Sequence, residues 1–321
     1  MRWPSIFGRK KHIQAAESSK SQILVGQYSE LTSGEYAIRS HDDTRVISWA
    51  EYGTSDRFIV YLHGSPGGRI VTVPNLDKIC MENGVRVIAL DHPGVGFTSL
   101  PAKGKTILST ATDDVAHILH YRGVKKAVLV GYSAGGVDAL RFLSAYPSVV
   151  TDTFLIAPVG FATHANKAGR SMQRAHYLAE HFPWMLRCIW AARPRSVPRN
   201  FINELSSMYP GEWASLSDEE KKLWKVAVDV TFTHGIRGWT GGLLEVLGKR
   251  PPDGWGFNIK QIGKINIIHG ELDENIPIDS CIELADIVGD CKLLKFKRLG
   301  HMAILGVGFE EILKMINEGL D

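Results

Sequence analysis

The chain has 321 residues, 44% of them hydrophobic and 22% charged, an ordinary balance for a globular enzyme built on one large core. A formal net charge of +3 is too small to point to nucleic acid, and no apolar run reaches the roughly 18 residues of a membrane span. The cysteines Cys80, Cys188, Cys281 and Cys291 lack a CxxC or zinc-ligand spacing, so the expectation is free thiols in a reducing, cytoplasmic setting, with no metal and no cofactor.

Residues 1–30 read as an N-terminal extension, polar around Ser18-Ser19-Lys20-Ser21. Its basic start, Met1 to Lys11, has no apolar h-region but carries Trp3, Ile6 and Phe7. A flexible tail is expected there, with weak peripheral membrane contact or organellar targeting as the alternative. Gly34 to Gly53 alternates apolar and polar residues around an Asp42-Asp43 turn, which predicts an antiparallel edge hairpin. Strand and helix patterns then alternate. Strands are expected at 58–62, 85–90, 126–130, 153–157, 265–269 and 291–296, and helices at 111–121, 136–146, 279–288 and 309–319. That alternation predicts an α/β fold with a mostly parallel central sheet and helices on both faces.

The alternation stops over 161–260, which is helix-like and holds six of the eight tryptophans. The predicted organisation is therefore a core of 31–160 and 261–321 and a helical cap or lid of 161–260. Most of the lid aromatics would hold the lid together, and a minority would line an apolar pocket. Truncation of Trp184, Trp190 or Trp239 would test which. Arg170, Arg174, Arg187, Arg193, Arg195 and Arg199 read as a solvated helix face, with recognition of a substrate carboxylate or phosphate as the sharper option.

The chemistry concentrates in four places. Ala127-Val128-Leu129-Val130 runs into Gly131-Tyr132-Ser133-Ala134-Gly135, a strand entering G-x-S-x-G. Such a turn lifts a nucleophilic serine clear of its backbone, and Gly131 and Gly135 let strand and following helix approach closely. Phe58 to Leu62 leads into His63-Gly64-Ser65-Pro66-Gly67-Gly68, where a backbone N–H, that of Ser65, can face an oxyanion beside the N–H of Ala134. His63, Gly64 and Gly67 are the supporting loop. Ile265 to His269 ends in Gly270-Glu271-Leu272-Asp273-Glu274, and Cys291 to Phe296 is followed by Leu299-Gly300-His301. The order Ser133, Asp273, His301 is that of one lineage of catalytic triads.

These segments resemble the α/β-hydrolase superfamily, in its fold-1 type of serine hydrolase with a helical cap. Asp91-His92-Pro93-Gly94-Val95-Gly96-Phe97-Thr98-Ser99 is similar to its D-x-P-G-x-G-x-S loop. The HGSPGG loop is similar to that of proline iminopeptidase-like members, except that Ser65 replaces the third residue of their HGGPGG form, which weakens a peptidase reading. The pattern Gly270 to Pro277 favours Asp273 over Glu271 and Glu274 as the acid. The resemblance implies acyl transfer by Ser133 with His301 as base and Asp273 as its orienting acid. The expected activity is that of a carboxylesterase-like serine hydrolase acting on a small, moderately hydrophobic ester or acyl substrate. The alternatives are a proline iminopeptidase-like aminopeptidase and a non-catalytic ligand-binding member of the same fold. Asp138, His92, His117, His120 and His234 are read as structural or surface residues, with substrate contact the other option for His234.

Overall fold

Five short β-branched runs, buried on both faces, give the chain its frame. The computed structural model describes residues 34–159, 166–168, 170–191, 197–233, 237–248 and 254–319. The 1–30 extension, His234, Arg193 and Arg195 lie outside the described residues. The side chain of Arg199 lies outside them too.

The strands are β1 (Glu35–Arg39), β2 (Val46–Tyr52), β3 (Phe58–Leu62), β4 (Arg86–Leu90), β5 (Ala127–Tyr132), β6 (Val150–Ile156), β7 (Ile265–Gly270) and β8 (Cys291–Phe296). They form one sheet in the order β1-β2-β4-β3-β5-β6-β7-β8. The β1–β2 hairpin and the β2–β4 pair are antiparallel, and every pairing from β4 to β8 is parallel. Parallel strands buried on both faces need continuous apolar side chains, and every residue of β5 and β7 is buried. The edge strand β8 alternates half-buried and exposed residues instead.

The helices of the core are α1 (Leu76–Glu82), α2 (Ile107–Tyr121) and α3 (Gly135–Ala145), with α10 (Ile278–Val288) and α11 (Ile304–Glu318) at the C-terminal end. Two begin earlier than their apolar periodicity suggests. Helix α2 starts four residues before Ala111 because Thr106 and Ser109 form a reciprocal capping box. Helix α11 starts at Ile304, directly behind the His301 loop, where Ile304 and Leu305 are already core residues.

Between β6 and β7 the described residues hold no strand; their α-helices are α4 (Arg170–His181), α5 (Pro183–Ala191), α6 (Val197–Met208), α7 (Pro210–Ser215), α8 (Asp218–Thr231) and α9 (Arg237–Gly248), followed by a 3-10 turn at Ile259–Gln261. Trp190, Phe201 and Phe232 pack around Trp239, with ring centroids 5.0, 5.7 and 5.5 Å from it. Trp184, in contrast, is 65% exposed. Arg170, Arg174 and Arg187 are exposed, as a solvated helix face requires.

These helices are fastened to the core at specific points. Glu245 of α9 accepts from the N–H groups of Ile107 and Leu108 at 2.9 and 3.0 Å, so its carboxylate caps the positive end of α2. The backbone of Gly238 lies directly on that of Gly94, a contact that a Cβ on either residue would prevent.

Candidate active site

Ser133 stands at the end of β5 with φ +53°, a left-handed backbone that costs a non-glycine residue roughly 1–3 kcal/mol. The turn is held by Ser133 N–H donating to Ile156 O at 2.9 Å and Gly136 N–H donating to Ser133 O at 3.0 Å. A Cβ on Gly135 would meet the carbonyls of Leu62 and His63, and one on Gly131 would meet Gly135 O at 2.7 Å. The two glycines therefore set how closely β3, β5 and α3 approach.

His301 follows β8 and is buried beside Ser133. Its Nε2 lies 3.0 Å from Ser133 Oγ and its Nδ1 lies 2.7 Å from Asp273 Oδ2. Asp273, past the end of β7, accepts through Oδ1 from the N–H groups of Asn275 and Ile276 at 2.9 and 2.7 Å. A carboxylate fixed on one side presents its other oxygen to Nδ1–H, leaving Nε2 to accept the serine proton. Burial lowers the His301 pKa, but the charge and hydrogen bond of Asp273, with a contribution from Glu212, outweigh it and leave it raised above 6.5. Tyr132 stacks on the His301 ring at 5.3 Å and its hydroxyl donates to His301 O at 2.9 Å.

The HGSPGG loop lies across from this chain. His63 accepts from His92 N–H through Nε2 at 3.1 Å, so its Nδ1–H donates to Gly64 O at 2.7 Å. Burial lowers its pKa, which keeps the ring neutral in that tautomer. Asp91 ties the same loop to β4: its Oδ1 accepts from Arg69 N–H at 2.7 Å and its Oδ2 pairs with the Arg69 guanidinium at 2.9 Å. Among the described residues, no acceptor is paired with the N–H of Ser65 or of Ala134.

Two small cavities, each about 30 Å³, are lined by Ser65. One adds Tyr132, Ser133, Tyr209, Glu212, Trp224 and His301. The other adds Ala134, Asp138, His92, Trp239, Leu243 and Val246. Of the described tryptophans between β6 and β7, Trp224 and Trp239 line these cavities.

Three residues between β6 and β7 each hold one site loop; the sequence offers Glu212 only as one of several acids that an aminopeptidase could use, and gives no sign of Thr231 or Tyr209. Thr231 Oγ1 accepts from Gly67 N–H at 2.9 Å and lies 2.7 Å from Gly67 O. Glu212 Oε2 accepts from Met302 N–H at 2.9 Å, directly after His301. Its Oε1 is buried with no hydrogen-bond partner among the described residues. Tyr209 donates to Asn275 Oδ1 at 3.0 Å, on the loop that fixes Asp273. Little marks them: a buried threonine and a buried glutamate inside helices, and a half-buried tyrosine between α6 and α7.

A family model described as the alpha/beta hydrolase fold matches residues 58–306. The chain belongs to that family. A 2-hydroxy-6-oxo-6-phenylhexa-2,4-dienoate hydrolase of Comamonas testosteroni is 23% identical over 294 residues, covering 86% of this chain and 93% of its own. A probable proline iminopeptidase of Streptomyces coelicolor is 27% identical over 147 residues, but the match spans 44% of that protein. Among solved structures, the esterase RhEst1 of Rhodococcus superposes with a TM-score of 0.61 at 18% identity, covering 90% of this chain and all of that one. This α/β hydrolase thus shares its fold with hydrolases of differing substrates. No described helix is long and apolar enough to cross a membrane.

Proposed function

We propose that the chain is a serine hydrolase that cleaves small esters through an acyl-Ser133 intermediate. The observation that carries this reading is the continuous contact Ser133 Oγ–His301 Nε2–Asp273 Oδ2, at 3.0 and 2.7 Å. His301 takes the serine proton as Oγ attacks the carbonyl carbon, and Asp273 holds the ring and stabilises the imidazolium. The N–H groups of Ser65 and Ala134 receive the oxyanion. His301 then returns the proton to the departing alcohol, and water repeats the sequence to release the acid and regenerate Ser133. The residues 161–260 act as a cap whose small cavities select short acyl groups. The test is turnover of p-nitrophenyl esters by the wild-type protein and by Ser133→Ala. A fall of about three decades or more is expected, and an alanine variant that keeps a tenth of the activity refutes the nucleophile.

A second reading has one observation in its favour. The unpartnered Oε1 of Glu212 lines the cavity that holds Ser133 and His301, where a carboxylate could receive the ammonium of an aminoacyl substrate. Preference for a prolyl anilide over the ester series would select this aminopeptidase reading.

A further inference from the structure

Acyl transfer fixes which cavity takes which half of a substrate. His301 protonates the leaving group, so the leaving group lies on the His301 side, in the cavity lined by Ser133, Glu212 and Trp224. The acyl group then extends the other way, past Ala134, into the cavity lined by Asp138, His92 and Trp239. That second cavity has apolar walls from Ile107, Leu108, Leu243 and Val246. Three of its side chains nevertheless carry a buried polar atom with no hydrogen-bond partner among the described residues: Asp138 Oδ1, His92 Nε2 and Trp239 Nε1. Asp138 and Trp239 are 5% and 8% exposed.

An unpaired buried polar atom costs roughly 1–3 kcal/mol, and three on residues that line one cavity call for a polar occupant. No lysine or arginine lines the cavity, so nothing there would pair with an anionic occupant. The atoms differ in kind. Trp239 Nε1–H can only donate, whereas Asp138 Oδ1 can accept. One hydroxyl satisfies both, by accepting from the indole and donating to the carboxyl. Burial, reinforced by Glu245, pushes the Asp138 carboxyl up to about 8, which agrees with an uncharged environment at neutral pH. His92 stacks on His63 at 3.8 Å and its Nδ1 lies 3.7 Å from Asp138 Oδ2, so the polar group is continuous with the loop that carries Ser65.

We infer that Asp138, Trp239 and His92 form an acyl subsite that recognises a hydroxyl group on a short acyl chain, making the preferred substrates esters of small hydroxy acids. The inference rests on the acyl-transfer reading above, which assigns this cavity to the acyl side.

The test compares p-nitrophenyl 3-hydroxybutanoate with p-nitrophenyl butanoate, each rate divided by that ester's hydroxide-catalysed rate. The wild-type kcat/KM ratio should favour the hydroxy ester by about tenfold, the worth of one to two buried hydrogen bonds. Trp239→Phe keeps a ring but loses the N–H, and Asp138→Leu keeps volume but loses the oxygens. Each should bring the ratio toward 1, and Asp138→Asn should retain part of the preference. Binding of ethyl 3-hydroxybutanoate and ethyl butanoate to Ser133→Ala protein, followed by saturation-transfer NMR, reads the same preference without turnover. A wild-type ratio near 1, equal binding of the two ethyl esters, or a preference unchanged in both Trp239→Phe and Asp138→Leu overturns the subsite while Ser133-dependent turnover still stands. No Ser133-dependent turnover with the binding preference intact overturns the acyl-transfer reading instead.

Discussion

Replacing Thr231 by valine removes one oxygen and nothing else of size. That oxygen accepts from Gly67 N–H at 2.9 Å, and its proton is shared between Gly67 O at 2.7 Å and Ala227 O at 2.8 Å. Thr231 is 1% exposed, so its hydroxyl is not in contact with bulk solvent. The Gly67 N–H is left buried and unpaired, at about 1–3 kcal/mol, and the carbonyls lose less because each has a second lone pair. A loss of about 2 kcal/mol lowers Tm by roughly 3 °C in a chain of this size. Activity should fall further than stability. Gly67 belongs to the loop that presents the Ser65 N–H, and a misplacement of about 1 Å in a catalytic constellation costs on the order of 100-fold. Calorimetry and p-nitrophenyl butanoate kinetics should show kcat reduced by about one to two decades with KM little changed, while Thr231→Ser restores kcat. A valine variant with unaltered Tm and kcat would refute both the brace and the role given to the Ser65 N–H.

The raised pKa of His301 places the rising limb of kcat/KM above pH 6.5, because the protonated ring cannot accept the serine proton; a limb below pH 6 in a stopped-flow pH series would contradict the Asp273 pairing. Asp138 gives a stability signature: with its folded pKa pushed up from 3.8 to about 8, the stability it supports below pH 4 is lost as pH rises toward 8, on the order of several kcal/mol. Asp138→Asn should therefore narrow the Tm difference between acidic and mildly alkaline buffers, and an unchanged difference would refute the burial argument. Gly135→Ala should yield little folded protein, since its Cβ meets backbone carbonyls rather than a side chain that can turn away; normal expression and Tm would contradict that packing. Across straight-chain p-nitrophenyl esters kcat/KM should peak at a short acyl group and fall by octanoate, the cavity being about 30 Å³, and Trp239→Ala should move the optimum to longer chains.

The parts legible in the sequence are those set by local rules. β3 and β5 are near-continuous apolar runs because both faces are buried, β7 is such a run broken by the buried Asn266 and His269, and Gly131 and Gly135 announce a close approach of backbones. Ser133, Asp273 and His301 are each tied to a strand end, so their order along the chain carries their meeting in space. What the sequence hid are contacts between segments far apart. Thr231 and Gly67 are 164 positions apart, and Glu212 and Met302 are 90 apart. Nothing local to Glu212 marks it as different from the acids at 218–220, which cap the start of α8 through Ser217 and Glu220. Asp138 read as a structural residue of α3. It lines one cavity with His92 and Trp239, which the placement of α9, some hundred residues further along the chain, brings together.

The central claim is that Ser133 is the nucleophile activated by His301, and covalent labelling tests it most directly. After exposure to a fluorophosphonate, peptide mass spectrometry should find the phosphonyl group on Ser133 and on no other residue. Ser133→Ala should abolish the adduct, and His301→Ala should slow it by about two decades or more, because an unassisted serine hydroxyl is a weak nucleophile. A label on a different residue, or labelling of Ser133 at an unchanged rate in His301→Ala, would contradict it.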